Sequence, residues 1–217
     1  MQRTLLRRTH PVGASYERRI FNPLMDWALS TPAVAALRVQ VLRACPDDAL
    51  EVGPGTGLNV PHYPPQARRL RVLAREDRLD ERLLARAAQR GLEVQHVRAD
   101  AARIPLPDAS VDALVCTFVL CSVESPRACL SEFARVLRPG GRLHLLEHVR
   151  SPRRIEHAMQ RVLTPLQRVV ACGCELDRDL RTDVESSGFD ARDLRCTKSA
   201  ALPFPASELL AGVATRR

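Results

Sequence analysis

A doubly wound, mostly parallel α/β sheet with helices on both faces is the fold that this 217-residue sequence predicts. Three observations carry the prediction. Short apolar runs alternate with amphipathic segments from 49 to 149, the strand–helix rhythm of a parallel sheet. The first run ends in the glycine-rich stretch Glu51-Val-Gly-Pro-Gly-Thr-Gly57. Glycine admits positive φ and lets a ligand approach the backbone without meeting a Cβ. The run from Val111 to Leu120 is apolar almost throughout, as in a central strand buried on both faces.

Taken in order, residues 1–15 read as a loose leader. Tyr16, Ile20, Phe21, Leu24, Trp27 and Ala28 recur at helical spacing up to Ser30, with Pro23 expected to bend or interrupt the helix. This segment reads equally well as a helix on the sheet edge and as a lid over the substrate end. Thr31-Pro32 restarts a helix as an N-cap followed by a first-turn proline, and Val34, Leu37, Val41 and Leu42 mark its apolar face. Ala49-Leu50 ends the first strand. Leu70 to Arg75 is the second, ending at Glu76-Asp77, and a helix over 79–90 follows, closed by Gly91. Val94 to Val97 is a third short strand with Asp100-Ala101 after it. Residues 126–137 are helical, Pro139-Gly-Gly141 stops them, and Arg142 to Val149 is the fifth strand.

The last third differs. A helix is expected over 153–171, interrupted at Pro165, and a second over about 177–187, ending at Gly188. Phe189 to Thr197 and Leu209 to Thr215 read as strands, making seven in all. The whole chain reads as one domain: N-terminal helices over 16–45, a core over 49–149, cap helices over 153–175 and a C-terminal helix and strand pair over 177–217.

Composition narrows the function. The chain is 45% hydrophobic and 27% charged, ordinary for a globular protein large enough to fold without metals or disulfides. The net charge is +8, and every basic residue but Lys198 is arginine. Such a balance permits contact with an anionic membrane surface. No dense basic run interleaves with aromatics, and only 4% of residues are aromatic, so no nucleic-acid partner is expected. The seven cysteines are odd in number and none has C-x-x-C spacing, so no metal site is expected and a reduced, cytoplasmic setting fits. The N-terminus lacks the apolar core of a signal peptide, and no stretch has the length of a membrane span.

The site chemistry follows from charge and position. Glu76, at the end of the second strand, can accept both hydroxyls of a ribose, because an ionised carboxylate only accepts. Asp100, after the third strand, can accept from an exocyclic amine. Glu51, ahead of the glycines, repels a phosphate and attracts a cation. A dinucleotide site instead presents G-x-G-x-x-G and a helix N-terminus to a pyrophosphate, whereas the glycines here run G-x-G-x-G. No nucleoside-triphosphate loop of the G-x-x-x-x-G-K-[ST] type is present.

Residues 49–149 resemble the class I S-adenosylmethionine-dependent methyltransferases, a Rossmann-like family, through four stretches. These are Glu51 to Gly57, Asp100-Ala-Ala-Arg-Ile-Pro-Leu-Pro107, Val111-Asp-Ala-Leu-Val115 and Leu137-Arg-Pro-Gly-Gly-Arg-Leu143. The chain is similar to the branch of ubiquinone/menaquinone C-methyltransferases. It is closer to the group that holds alkyl-thiol methyltransferases and phosphatidylethanolamine N-methyltransferase-like proteins. That nearer likeness lies in Gly57-Leu-Asn-Val-Pro-His-Tyr-Pro64, Cys116-Thr-Phe-Val-Leu-Cys-Ser-Val123, Leu146-Glu-His-Val149 and Gly173-Cys-Glu-Leu-Asp-Arg178.

The resemblance implies S-adenosylmethionine as cofactor, with Glu51, Gly53, Gly55 and Gly57 at its methionine moiety and Asn59 among the binding residues. It implies Glu76 at the ribose, Asp100 and Ala101 at the adenine, Thr117 beside the cofactor, and an antiparallel C-terminal hairpin. The family's usual apolar-D-x-[ST]-x context is here Ala-Arg-Glu-Asp-Arg, so Asp77 is the alternative to Glu76. Methyl transfer is an in-line displacement needing alignment, exclusion of water and, for some acceptors, a base. His148 is the best base, with Tyr16 as a second catalytic candidate, because a neutral imidazole suits proton removal near neutral pH. His62, Tyr63, Cys121 and Arg178 are expected to face a small, apolar acceptor: a thiol, an amine or phospholipid head group, or a quinol-like compound. A nicotinamide-dependent oxidoreductase is the competing enzyme class, opposed by the loop spacing and Glu51. A non-catalytic cofactor-binding protein at a membrane surface is the third reading.

Overall fold

The computed structural model describes residues 16–217; the leader read over 1–15 lies outside the described residues. Five parallel strands form its centre: β1 (Ala49–Val52), β2 (Arg69–Ala74), β3 (Glu93–Arg98), β4 (Val111–Thr117) and β5 (Leu137–His148). Three more follow: β6 (Phe189–Asp190), β7 (Arg195–Lys198) and β8 (Glu208–Arg216). The order across the sheet is β3-β2-β1-β4-β5-β8-β6, with β7 also pairing β8. β8 runs antiparallel to β5. Chain order reverses between β1 and β4, and open α/β sheets bind ligands in the crevice at that point.

Strand alternation builds a core on each face. Leu50, Val52, Leu114, Cys116, Leu143 and Leu145 point to one side. There they meet Leu130 and Phe133 of a helix over Pro126–Val136 and Leu180 and Val184 of another over Leu180–Ser186. Ala49, Leu70, Val72, Ala113 and Val115 point to the other side. They meet Leu42 of the helix Pro32–Leu42 and Leu83 and Ala87 of the helix Glu81–Arg90. Each large apolar side chain so buried contributes about 2 kcal/mol. With Asn22–Leu29 ahead of them and Arg154–Val170 after the fifth strand, these helices are numbered α1 (Asn22–Leu29), α2 (Pro32–Leu42), α3 (Glu81–Arg90), α4 (Pro126–Val136), α5 (Arg154–Val170) and α6 (Leu180–Ser186).

The helix ends obey local chemistry. Thr31 caps α2, Asp80 caps α3 and Ser125 caps α4, each side chain accepting from a first-turn N–H. Gly91, at φ 64°, closes α3 in the left-handed region. Three expectations need correction. Pro23 does not break α1: it falls in the helix's first turn, where an N–H has no intrahelical partner, and a π-helical turn over Glu17–Phe21 precedes it. Pro165 does not interrupt α5, which runs through it. The proline removes one N–H, and the bonds from Ala171 N to Gln167 O and Gly173 N to Arg168 O hold the turn beyond it. The strand expected over 189–197 divides into β6 and β7, giving eight strands among the described residues. Asp190 accepts from Arg192 N to turn the chain, and Arg181 donates to the carbonyls of Leu194 and Ala191, at 2.9 and 3.3 Å. A Cβ on Gly212 of β8 would lie 2.4 Å from Asp193 O, so only glycine lets that turn close. The expected hairpin is present as β7–β8.

Candidate functional site

The glycine loop leaves β1 at the reversal point, fastened by Gly53 N donating to Leu73 O at 2.8 Å. Its three glycines serve different ends. A Cβ on Gly53 would press Val119 Cγ2 at 2.6 Å, and one on Gly57 would meet Leu83 Cα at 2.8 Å. Gly55 has nothing within 4 Å of a Cβ and a φ of 53°. The outer two are therefore packing glycines, and Gly55 is the one that faces open space.

Beneath the loop lies a buried polar network. Glu51 is 1% exposed; Asn59 Nδ2 donates to its Oε1 and the Tyr63 hydroxyl to its Oε2, both at 2.8 Å. Asn59 Nδ2 also reaches Thr117 Oγ1 at 3.0 Å, and the Arg38 guanidinium donates to Asn59 Oδ1 and Thr117 Oγ1. Burial pushes the Glu51 carboxyl up, while the bonds from Tyr63 and Asn59 and the charge of Arg38 pull it down. Burial also lowers Arg38, to about 10, against the raising effect of Glu51. Tyr63 is pushed well above its usual value, first by burial and then by Glu51. Tyr63 was expected at the acceptor; instead it is 4% exposed and sits under the loop as Glu51's partner. The apolar cluster of Leu42, Val60 and Leu83 surrounds it, which leaves its hydroxyl one buried acceptor to reach.

Arg38 escaped the sequence reading, although an arginine among the apolar residues of α2 was a signal. Its Nε is buried with no partner, and its guanidinium stands 5.4 Å from the Phe118 ring centroid. A buried cation with an unsatisfied donor calls for an anionic acceptor, and the carboxylate of a methionine moiety has that chemistry.

Glu76 and Asp77, the two residues expected at the ribose, are both exposed just past β2. Asp77 pairs with Arg98 at 2.7 Å, whereas Glu76 has no partner among the described residues. Asp100 is half-buried and accepts from Ala102 N at 2.8 Å, which fixes its turn, and Ala101 packs into the core. With Gly55 open, Arg38 unsatisfied and Glu76 free, these residues fit S-adenosylmethionine.

A second buried cluster is built around Glu147, another residue the sequence did not single out. Its carboxylate is fully buried and accepts from the N–H groups of Val119, Leu120 and Cys121 at 2.8, 3.0 and 3.2 Å. Burial raises it, and those three bonds oppose the rise. An acidic residue inside an otherwise apolar strand was the available sign. By gripping the turn after β4, Glu147 sets Cys121 against His148 and Cys174. His148 Nδ1 lies 3.7 Å from each sulfur, and the sulfurs lie 3.6 Å apart. The His148 ring also packs on Phe118, with centroids 4.8 Å apart. The bond from Cys174 comes first in raising the Cys121 thiol well above its usual value, and burial adds to it. Ala171, Leu176, Phe21 and Ala206 complete an apolar wall.

Three other candidates are not members of this trio. Arg178 was expected at the acceptor, but its guanidinium donates to Leu120 O, Val123 O and Glu175 and so is spent on holding two turns together. Tyr16 was a catalytic candidate; its hydroxyl donates to Val170 O at 2.9 Å, tying the N-terminal segment to the end of α5. His62 is half-buried in the 3-10 turn Val60–His62, its pKa lowered by burial and then by Arg38. A third missed group is the pair Asp26 and Arg86, which bridges α1 and α3 over the loop.

Comparison with known proteins agrees with this geometry. A methyltransferase-domain family matches residues 50–145. The thiol S-methyltransferase TMT1B of Rattus norvegicus is 34% identical over 191 residues, 86% of this chain and 72% of that protein. The phosphatidylethanolamine N-methyltransferase of Cereibacter sphaeroides is 37% identical over 105 residues, 46% of this chain and 49% of that protein. A SAM-dependent methyltransferase of Thermotoga maritima shares the fold at a TM-score of 0.62 and 20% identity, covering 93% of this chain and 98% of that one. The reversal-point loop, the exposed carboxylate of Glu76 just past β2 and these relatives converge: the chain belongs to the class I S-adenosylmethionine-dependent methyltransferases and is an enzyme that takes its methyl group from S-adenosylmethionine.

Proposed function

We propose that the acceptor is a small apolar thiol, methylated on sulfur. The observation that carries this reading is the acceptor wall itself, an apolar surface bearing Cys121, His148 and Cys174. A phospholipid head group needs a cation for its phosphate. Arg178, the arginine expected to serve, is committed to two backbone carbonyls and Glu175. A neutral thiol asks for neither a clamp nor a counter-ion. The long match to a thiol S-methyltransferase supports the same choice.

When bound, the cofactor supplies a methyl carbon activated by its sulfonium. Arg38 and the open face of Gly55 hold its amino-acid end, and Glu76 holds its ribose. Glu51 acts through Asn59 and Tyr63 by fixing the loop's underside. Glu147 orders the turn that carries Cys121, and Phe118 and Phe21 keep water from the acceptor. A thiol has a pKa of about 8.5, so it must lose a proton to attack, and His148 is the imidazole at this wall. The test is methyl transfer from labelled S-adenosylmethionine to alkyl thiols, amines and phosphatidylethanolamine in parallel. Turnover of thiols alone is expected, and turnover restricted to amines or lipid would reverse the assignment.

A second proposal concerns location. No described helix is long and apolar enough to cross a membrane. α5 nevertheless leaves Ile155, Met159, Val162 and Leu166 exposed at helical spacing, beside arginines 153, 154, 161 and 168. We propose that this face meets an anionic lipid surface, as basic amphipathic helices do.

A further inference from the structure

Three segments far apart in sequence bring Cys121, His148 and Cys174 together. Cys121 follows β4 on the turn that Glu147 grips, His148 is the last residue of β5, and Cys174 follows α5. Cys172, at φ 47°, and Gly173, at φ 94°, are consecutive left-handed residues that fold the chain back. Cys174 N then donates to Ala171 O at 3.0 Å, which turns the thiol inward. The three side chains are 1%, 9% and 5% exposed. A C-x-x-C search has no access to such a group, because each of its members comes from a different element.

We propose that Cys121, Cys174 and His148 Nδ1 hold a zinc ion whose fourth position takes the acceptor sulfur. The proposal rests on the thiol reading of the acceptor. Zinc bonds of about 2.3 Å to sulfur and about 2.1 Å to nitrogen, at tetrahedral angles, place two sulfurs about 3.8 Å apart and sulfur and nitrogen about 3.6 Å apart. The distances here are 3.6 Å between the sulfurs and 3.7 Å from each sulfur to Nδ1. The ligand atoms are thus spaced for the ion already. A disulfide needs sulfurs about 2.05 Å apart, so the pair is not placed for one.

Charge and ligand number agree. Two thiolates and a neutral imidazole cancel the charge of a divalent cation, which makes the site neutral among the apolar side chains of Ala171, Leu176 and Phe21. No fourth Cys, His, Asp or Glu joins the group among the described residues. Two cysteines, one histidine and an open position are the ligand set of catalytic rather than structural zinc. Soft sulfur ligands favour zinc over magnesium or calcium.

The chemistry balances. As an alkyl thiol coordinates, its S–H bond breaks and the proton leaves to solvent. The sulfur's electron pair then forms the new sulfur–methyl bond while the bond from that methyl to the sulfonium breaks. The pair from the broken bond stays on the departing neutral thioether of the cofactor, and the methylated product, now a weak ligand, leaves the metal. In this role His148 is a ligand, and the metal takes over from the imidazole the task of favouring the thiolate.

The test is the metal content of the full chain purified without chelator, with cobalt exchange as a second readout. About one zinc per chain is expected, from one such site. Cobalt should add a thiolate-to-metal charge-transfer band and visible ligand-field bands. Cys121→Ser and Cys174→Ser should lose both signals, while Cys196→Ser, an exposed cysteine of β7, should keep them. Circular dichroism separates loss of metal from loss of fold. If a folded wild type takes up neither zinc nor cobalt, or if folded Cys121→Ser and Cys174→Ser bind them unchanged, the site does not exist. Thiol methylation in the same samples separates the two proposals. Metal bound without thiol turnover would keep the site and reject the thiol acceptor. Thiol turnover unchanged after zinc is stripped would reject the metal's role and keep the acceptor.

Discussion

The carboxylate of Asp26 receives two hydrogen bonds from the Arg86 guanidinium, at 2.8 and 3.1 Å, and one from the Thr56 hydroxyl at 2.5 Å. Arg86 also donates to Thr56 O at 2.6 Å. Two helices and the glycine loop are thereby joined at one carboxylate, whose pKa is lowered chiefly by Arg86. α1 has no fully buried residue and packs on the core through Leu29 at its end, so this clasp is what ties its middle to the loop. Of the two readings the sequence left open for that segment, we propose the lid, since Asp26 holds the loop through Thr56.

Asp26→Asn should therefore weaken cofactor binding more than stability. A bidentate, partly buried pair of this type contributes about 1 kcal/mol, so calorimetry should show S-adenosylmethionine affinity falling about fivefold to tenfold. The melting temperature should barely move, and the loss should shrink at high salt. An unchanged affinity would mean that α1 takes no part in holding the loop.

Gly55 and Gly57 make a controlled pair. Gly55→Leu introduces a side chain into open space, at a strain cost of about 1 kcal/mol for a left-handed residue, and should fold. It should lose S-adenosylmethionine binding, because its side chain occupies the face the ligand approaches. Gly57→Leu drives into the backbone of α3 at Leu83 and should lose stability first. Thermal melts and calorimetry on both variants check this; a Gly55→Leu that binds normally would place the ligand elsewhere.

What the sequence could reveal divides along a physical line. Local patterns were readable: the alternation that built five parallel strands, the cap at Thr31, and the loop from Glu51 to Gly57. Each depends on neighbours within a few residues. Tyr63, Arg178 and the grouping of Cys121 with Cys174 depend on which strand lies beside which, and residue type alone does not carry that. Glu147 and Arg38 are intermediate, since a charge inside an apolar element announces a buried partner without naming it. Pro165 failed as a helix breaker because one missing N–H is a smaller effect than the bonds on either side of it.

His144 should make the protein acid-sensitive. It is fully buried on β5, its Nδ1–H donates to Val41 O at 2.7 Å, and its Nε2 has no partner. Burial lowers its pKa from 6.5 to about 4, the bond to Val41 opposes the shift, and Arg142 adds to it. A depressed folded-state value means the unfolded chain takes the proton first. The stabilising contribution is complete above pH 6.5 and is lost as pH falls towards 4. The loss over that window is about 3 kcal/mol at its lower end. Urea unfolding of wild type and His144→Gln across the window should show the variant's curve flatter by about that amount. Parallel curves would assign the acid sensitivity to other groups.

The exposed stripe of α5 gives the lipid proposal a direct test. Ile155 and Val162 are each 78% exposed and Leu166 is 64% exposed, an apolar row on one helix face of the kind that marks interaction sites. Tyr16 ties the N-terminal segment to Val170 at the end of α5, and Phe21 packs beside Ala171, so the stripe borders the acceptor wall. An apolar thiol dissolved in a bilayer would then reach the site from the lipid side. The chain should co-sediment with vesicles containing phosphatidylserine, less so at high salt, and poorly with neutral vesicles. The sole tryptophan, Trp27, is 77% exposed on α1, and its emission should shift to the blue on binding if the lid enters the same interface. Replacing Ile155, Val162 and Leu166 together by serine should abolish sedimentation while leaving methylation of a water-soluble thiol intact. A wild type that ignores anionic vesicles, and dimerises in their absence through the same three residues, would show that the stripe serves a second copy of the chain instead.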